Sequence, residues 1–338
     1  MSEPQVLVEV TRGPLVENRH RGHVAVVDLK GRLLYSAGDP HHRTYWRSSA
    51  KPVQALPVLE SGAAEHYRFT DRELALFCAS HSGEAVHTDT VQGVLEKIGL
   101  DQAALQCGTH LPFHRETAEQ MMAAGAKPNV LHSNCSGKHS GLLALARYKG
   151  YDINSYMEPN SPLQQELLDY ISSFTEYPRE DILIGTDGCG VPVYGLPLYN
   201  MALAFARMVR PVNMPEAKAA ACRRLTRAMH TFPEMVGGTG RLCSDLMRVG
   251  RGKLIAKAGA AGVYSVGIFD PGIGIALKGE CGQDKPRNAA VVEVLRRLNI
   301  LDAASLEALA SYHLPTNKNH RGEVCGEYLP VVKMQKCF

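Results

Sequence analysis

Lys253-Leu254-Ile255-Ala256-Lys257 runs into Ala258-Gly259-Ala260-Ala261-Gly262. Val263-Tyr264-Ser265-Val266-Gly267-Ile268 follows, then Asp270-Pro271-Gly272 and Ile273-Gly274-Ile275-Ala276-Leu277-Lys278. Apolar runs joined by tight Gly- and Pro-bearing turns predict an antiparallel meander. The other end of the chain is written in the same style. Val6-Leu7-Val8-Glu9-Val10 is β-branched and alternating. His23-Val24-Ala25-Val26-Val27-Asp28 and Arg32-Leu33-Leu34-Tyr35-Ser36 flank the short turn Leu29-Lys30-Gly31, which predicts a hairpin.

The middle changes period. Glu73-Leu74-Ala75-Leu76-Phe77, the positions Thr88, Gln92, Leu95 and Glu96, Thr117 with Met121 and Met122, and Ser140 with Leu142, Leu143, Leu145 and Tyr148 have helical spacing. Further helices are expected over 161–171, 197–208, 215–229 and 288–298, the first opened by Ser161 as N-cap with Pro162 behind it. Strands from both chain ends most simply share one sheet with the helical middle inserted between them. The expectation is an α+β fold: residues 1–45 and 240–338 form a discontinuous sheet domain, 46–239 a mainly helical one, and the active site lies between them.

With 338 residues the chain suits one large domain or two interlocked ones, and 45% apolar with 21% charged residues is ordinary for a globular protein. A net charge of +3 gives no reason to expect nucleic acid or an anionic membrane as partner. The longest apolar stretch, Leu142-Leu143-Ala144-Leu145-Ala146, is far too short to span a bilayer, and the first residues carry no basic region followed by an apolar run. Nine scattered cysteines without a C-x-x-C pair argue against a disulfide framework, so a cytoplasmic protein with reduced thiols is expected.

The chemistry is expected from a lysine-serine set: Ser48-Ser49-Ala50-Lys51, then Ser80, then Lys257-Ala258-Gly259. Ser48 lies three residues before Lys51, so on a helix the two share a face, whereas Ser49 points elsewhere. Pro52 tolerates only the first helical turn and pins the helix start near 48–50, at the positive end of the helix dipole. A serine beside a lysine able to lose its proton is a nucleophile and its base. A free lysine titrates at about 10.4, so the base needs burial or a second cation to be neutral. Lys257 is the candidate second cation.

Two Gly-rich polar segments add a possible metal centre. Leu131-His132-Ser133-Asn134-Cys135-Ser136-Gly137-Lys138-His139-Ser140-Gly141 reads as a loop entering a helix, and Gly185-Thr186-Asp187-Gly188-Cys189-Gly190-Val191-Pro192 as a strand-end turn. On residue type, Cys135 and Cys189 with His139 make a zinc set, with Asp187 nearby. The alternative is that both cysteines are ordinary buried small residues. Gly137-Lys138-His139-Ser140 fails as a phosphate loop, because His132 stands where the first glycine is needed and His139 where Ser or Thr is. Gly237-Gly238-Thr239-Gly240 reads as a flexible loop over a pocket, and Ser80-His81-Ser82-Gly83-Glu84 with His87 as polar loop residues around Ser80.

Taken together, Arg47-Ser48-Ser49-Ala50-Lys51-Pro52, Ser80-His81-Ser82-Gly83-Glu84, Ser133-Asn134-Cys135-Ser136-Gly137-Lys138-His139 and Asp187-Gly188-Cys189-Gly190-Val191-Pro192 closely resemble the asparaginase II family, the Ser-Lys class of bacterial L-asparaginases. The resemblance runs in order along nearly the whole chain. It implies a fold similar to serine β-lactamases and Ser-Lys glutaminases. It implies hydrolysis of L-asparagine to L-aspartate and ammonia, usually by a homodimer. It places the catalytic set on Ser48, Lys51, Ser80 and Lys257 and zinc on Cys135, Lys138 and Cys189. Beside it, Arg47 and the metal-anchored pocket are expected to hold the substrate's α-carboxylate and α-amine, with His139 and Asp187 as near-site groups. Lys138 thereby competes with His139 as the third ligand. The rival readings are a zinc-hydroxide amidohydrolase in which Ser48 only positions substrate, a glutaminase or β-lactam-type acyl hydrolase on the same scaffold, and a sensor that binds a small amide without turnover.

Overall fold

The structure is a computed structural model describing residues 2–338. The strands are β1 (Gln5–Arg12), β2 (Leu15–Asp28), β3 (Leu33–Ala37), β4 (Arg43–Tyr45), β5 (Leu183–Thr186), β6 (Pro192–Pro197), β7 (Leu254–Ala258), β8 (Val263–Ile268), β9 (Ile273–Gly279), β10 (Thr316–Lys318), β11 (Val324–Pro330) and β12 (Gln335–Lys336). The large sheet has the order β10-β11-β1-β2-β9-β8-β7, with β3 on β2 and β12 on β3. Its pairings are antiparallel. Both chain ends therefore build one sheet, as the alternating patterns at each end require.

β2 is the spine. Its first half pairs with β1, its second half with β3 on the same edge, and its opposite edge takes β9 from Gly22↔Gly279 to Asp28↔Ile273. The β2–β3 turn closes with Gly31 N–H donating to Asp28 O at 3.0 Å, the hairpin expected from Leu29-Lys30-Gly31.

The expected helices form over Asp71–Phe77, Ala85–Lys97, Arg115–Ala123, Ser136–Lys149, Pro162–Thr175, Leu198–Val209, Glu216–Thr231 and Asp284–Arg297. Ser161 caps its helix, accepting from Gln164 N–H at 3.3 Å. Helix Leu198–Val209 lies on β2, β8 and β9. It approaches so closely that a Cβ on Gly274 would stand 1.7 Å from Ala202 O, so only glycine fits there. One hydrophobic core runs from the sheet through this helix into the helical middle. A second, small sheet β4-β6-β5, absent from the sequence reading, ties residues 43–45 to the middle of the chain. Among the described residues no helix is long and apolar enough to cross a membrane.

Candidate active site

The site is built where the start of the helical middle meets the far edge of the sheet. Buried Trp46 anchors it, donating from Nε1 to Ser265 Oγ at 3.1 Å on β8. Arg47 follows with φ of 53°, a left-handed conformation unusual for a non-glycine residue. A single 3₁₀ turn, Arg47–Ala50, then leads into the α-helix Lys51–Glu60 with Pro52 in its first turn. The proline placement is the expected one, and the preceding turn is tighter than an α-helix.

Gly259 explains why β7 ends in Lys-Ala-Gly. A Cβ there would meet Trp46 O at 3.0 Å and Ser49 Oγ at 3.2 Å, so the β7–β8 turn packs directly on the serine-bearing turn. Ser49 Oγ donates to Lys257 O at 2.8 Å, a structural bond that takes Ser49 out of the chemistry.

Three of the four serine and lysine residues form one hydrogen-bonded cluster. Lys51 Nζ donates to Ser80 Oγ at 3.0 Å, to Ala79 O at 2.6 Å and lies 3.2 Å from Cys135 Sγ. Lys257 Nζ donates to the same Ser80 Oγ at 2.9 Å and to Ala258 O at 2.8 Å. Both lysines are buried, at 1% and 0% exposure. Burial, with the positive charges of Lys51 and Arg241 against it and Cys243 in its favour, lowers Lys257 to about 7. Ser48, half-buried beside them, has no hydrogen-bond partner for its hydroxyl among the described residues. Ser48 and Ser80 line one open cleft of about 540 Å³, with Phe113, Asn134, Arg241, and the β7–β8 turn. On its other side Ser48 borders a narrow chamber with Arg47, Lys51, Lys138, Asp187 and Tyr194, too tight for a water molecule.

Behind that chamber lie the two sulfurs. Lys138 Nζ donates to Cys189 Sγ at 3.0 Å. The hydrogen bond to Cys189, with Lys51 and Lys138 adjacent, holds Cys135 well below the usual thiol range. Burial works against a charge on Lys138, yet the two sulfurs raise its pKa. His139 is fully buried, its Nδ1 2.7 Å from Tyr156 OH, its Nε2 without a partner and its pKa lowered to about 4 by burial. It lines neither cavity, so its place is behind the sulfurs. Among the described residues no three His, Cys, Asp or Glu donors are arranged to hold a metal. The histidine-containing zinc set is therefore not assembled. Two thiols and the Lys138 nitrogen do converge; the sulfurs fit zinc, and the nitrogen would join them as a ligand on giving up the proton it now donates to Cys189.

Arg47 is held by Asp187, Nε to Oδ1 at 2.8 Å, and Asp187 also accepts from Gly188 N–H at 2.9 Å. Burial would raise the Asp187 carboxyl, but Lys138 and Arg47 outweigh it and keep the pKa below normal. His81 and His87, stacked with ring centroids 5.0 Å apart, bond to Ser136 Oγ and Glu234 O respectively and frame the Ser80 segment. The glycine loop before Arg241 is pinned to Glu84, which accepts from Thr239 N–H at 2.9 Å and from its hydroxyl at 2.7 Å. Phe113, Asn134 and Arg241 enter the cleft without having been singled out as site residues. Arg241 carried a signal in its position at the end of the glycine loop, and Asn134 in its place beside Cys135 in the quoted motif; Phe113 carried none.

The family model for L-asparaginase II matches residues 8–330, and the chain belongs to that family. No curated protein matches it. Among solved structures it is similar to the protein Mglu (17% identity over 85% of this chain and 63% of that one, TM-score 0.37). A β-lactamase of Mycobacterium bovis matches at 14% identity over 86% of this chain and 95% of that one (TM-score 0.40). A Bacillus glutaminase matches at 14% identity over 82% and 91% (TM-score 0.37). The chain thus spans less than two thirds of the length of Mglu.

Proposed function

We propose that this protein is an amidohydrolase that converts L-asparagine to L-aspartate and ammonia through an acyl-enzyme. The observation that carries the reading is the Ser80 hydroxyl held between two buried lysines, with the unpaired Ser48 hydroxyl beside it in the same cleft. Family membership points the same way.

In this mechanism Lys51 first passes a proton through Ser80 to the neutral Lys257, and Ser48 Oγ then bonds to the side-chain amide carbon as its own proton passes to Lys51. The carbon–nitrogen bond then breaks, and the nitrogen leaves as ammonia after receiving that proton through Ser80. Water attacks the ester, returns a proton to Ser48 and releases aspartate. Lys257, lowered to about 7 by its burial, is the group able to be neutral and to set the proton state of Ser80. Arg47, with Asp187 fixing it, forms a polar wall behind Ser48, and the substrate lies in the open cleft on the serine's other side; His139 stays buried behind that wall on Tyr156. Cys135, Lys138 and Cys189 would hold zinc, which supplies positive charge at the back of that wall. We also propose a homodimer located in the cytoplasm.

A second reading has one observation in its favour: Ser80, not Ser48, carries both lysine hydrogen bonds, so Ser80 is itself the activated nucleophile. One experiment decides between them. The enzyme is trapped with an electrophilic asparagine analogue and the labelled peptide is sequenced by mass spectrometry. A label on Ser48 supports the first mechanism, a label on Ser80 the second. Wild-type protein that releases no ammonia from asparagine refutes the substrate assignment.

A further inference from the structure

The open cleft has two arginines on its walls, and they differ in one respect. Arg287 is buried and fully engaged: it donates to Gly259 O at 3.0 Å, to Asp284 Oδ1 at 2.7 Å and, from Nη2, to Asn288 Oδ1 at 2.8 Å. Around the narrow chamber every cation is engaged too. Arg47 has Asp187, Lys138 has Cys189, and Lys51 and Lys257 share Ser80. Arg241 alone is left. Among the described residues its guanidinium makes no hydrogen bond and no ion pair. Its guanidinium carbon sits 5.4 Å from the centre of the Phe113 ring, at the cleft wall. The nearest acid in sequence, Asp245, is taken by Arg248 and by Tyr312 OH.

A guanidinium within reach of an aromatic face, with no protein hydrogen bond, keeps its N–H groups free in their rigid planar fork. That fork fits a carboxylate at two points. Arg241 is also the N-cap of helix Leu242–Gly250, so the helix dipole adds to the positive potential at this spot. Its charge reaches the reacting groups, since it is one of the cations that depress Lys257. The glycine loop that delivers it is fastened to Glu84, which fixes the guanidinium on the wall shared with Ser48 and Ser80.

We infer that Arg241 is the specificity residue that receives the α-carboxylate of the substrate in the open cleft. The inference rests on the asparagine reading of the same site and assigns the carboxylate to a different wall from Arg47, whose charge Asp187 already neutralises. The enzyme then selects ω-amides that also carry a carboxylate and discriminates against simple amides.

The test compares wild type, Arg241→Ala and Arg241→Lys on asparagine and on β-alaninamide, which is asparagine without its α-carboxylate. Ammonia release gives kcat and KM for each, with melting temperatures confirming that the variants are folded. The expected result is an Arg241→Ala enzyme whose KM for asparagine rises about 10- to 100-fold, as for loss of a charge-assisted pair, with kcat changed far less. Its preference for asparagine over β-alaninamide should collapse, and Arg241→Lys should fall in between. An Arg241→Ala enzyme with KM within twofold of wild type, or with the preference intact, overturns the inference. Calorimetric binding of aspartate separates this from failure of the asparagine reading. If wild type releases no ammonia yet binds aspartate, loss of that binding in Arg241→Ala still supports the residue. Unchanged binding in the variant, or none in wild type, overturns it.

Discussion

Ser80 Oγ accepts from one ammonium at 3.0 Å and another at 2.9 Å. With both lysines charged, both lone pairs of the hydroxyl are occupied and its own proton is left to donate. When Lys257 loses its proton, Ser80 can donate to it instead, and the cluster becomes a base. Burial brings that change down from a lysine's ordinary range to about 7. Activity should therefore rise as pH increases through about 7, and Lys257→Met should abolish that limb as well as lower kcat, which a pH–rate profile checks. The same shift acts on stability. Above the folded pKa the native state has released a proton that the unfolded chain keeps until about 10.4. Stability from this group is thus lowest below pH 7 and grows across the window from 7 upward, so the melting temperature of wild type should gain more over that range than that of Lys257→Met. Ser48 offers the converse case. Its hydroxyl is unpaired, so Ser48→Ala should abolish ammonia release while shifting stability by no more than ~0.5 kcal/mol.

At the scale of elements, two glycines separate space from propensity. Gly93 lies within helix Ala85–Lys97 with nothing inside 4 Å of its would-be Cβ, so Gly93→Ala should stabilise by ~0.5–1 kcal/mol. Gly274→Ala puts a methyl 1.7 Å from Ala202 O and must push the helix off β9, at a cost of roughly 3 kcal/mol or more. Urea denaturation of the two variants measures both. The elements also show what the sequence could and could not tell. β1, β2, β3 and the β7–β9 meander were legible because each alternates or is bounded by Gly and Pro turns. The small sheet was not, because β4 is only three residues long and β6 is buried along its whole length and so lacks alternation. In the site, residue type disclosed Ser48, Lys51, Ser80, Lys257 and the two cysteines. It did not disclose that Lys51 turns towards Ser80, or that Arg241 stands free, since both depend on which partners the fold supplies elsewhere.

For the whole molecule, the sulfur pair and Lys138 lie at the back of the narrow chamber and Cys135 touches Lys51, so a metal bound there would be joined to turnover through one wall. Zinc held there should be measurable as bound metal in the purified protein and lost in Cys135→Ala or Cys189→Ala. Its removal by a chelator should raise KM more than it lowers kcat, whereas a metal-hydroxide mechanism predicts the reverse.

The hairpin of β1 and β2 is synthesised well before its two flanking strands, β11 and β9, which lie far downstream. At ordinary translation speeds of about 5–20 residues per second, those flanks stay open for on the order of ten seconds or more. Val24 to Val27, wholly buried in the finished protein, can meanwhile pair with β3 on one edge but stay open on the edge that β9 later covers. The nascent chain thus carries an unpaired apolar strand edge, the kind of surface that aggregates when left uncovered, and Ser80 cannot gain its second lysine before Lys257 has emerged from the exit tunnel.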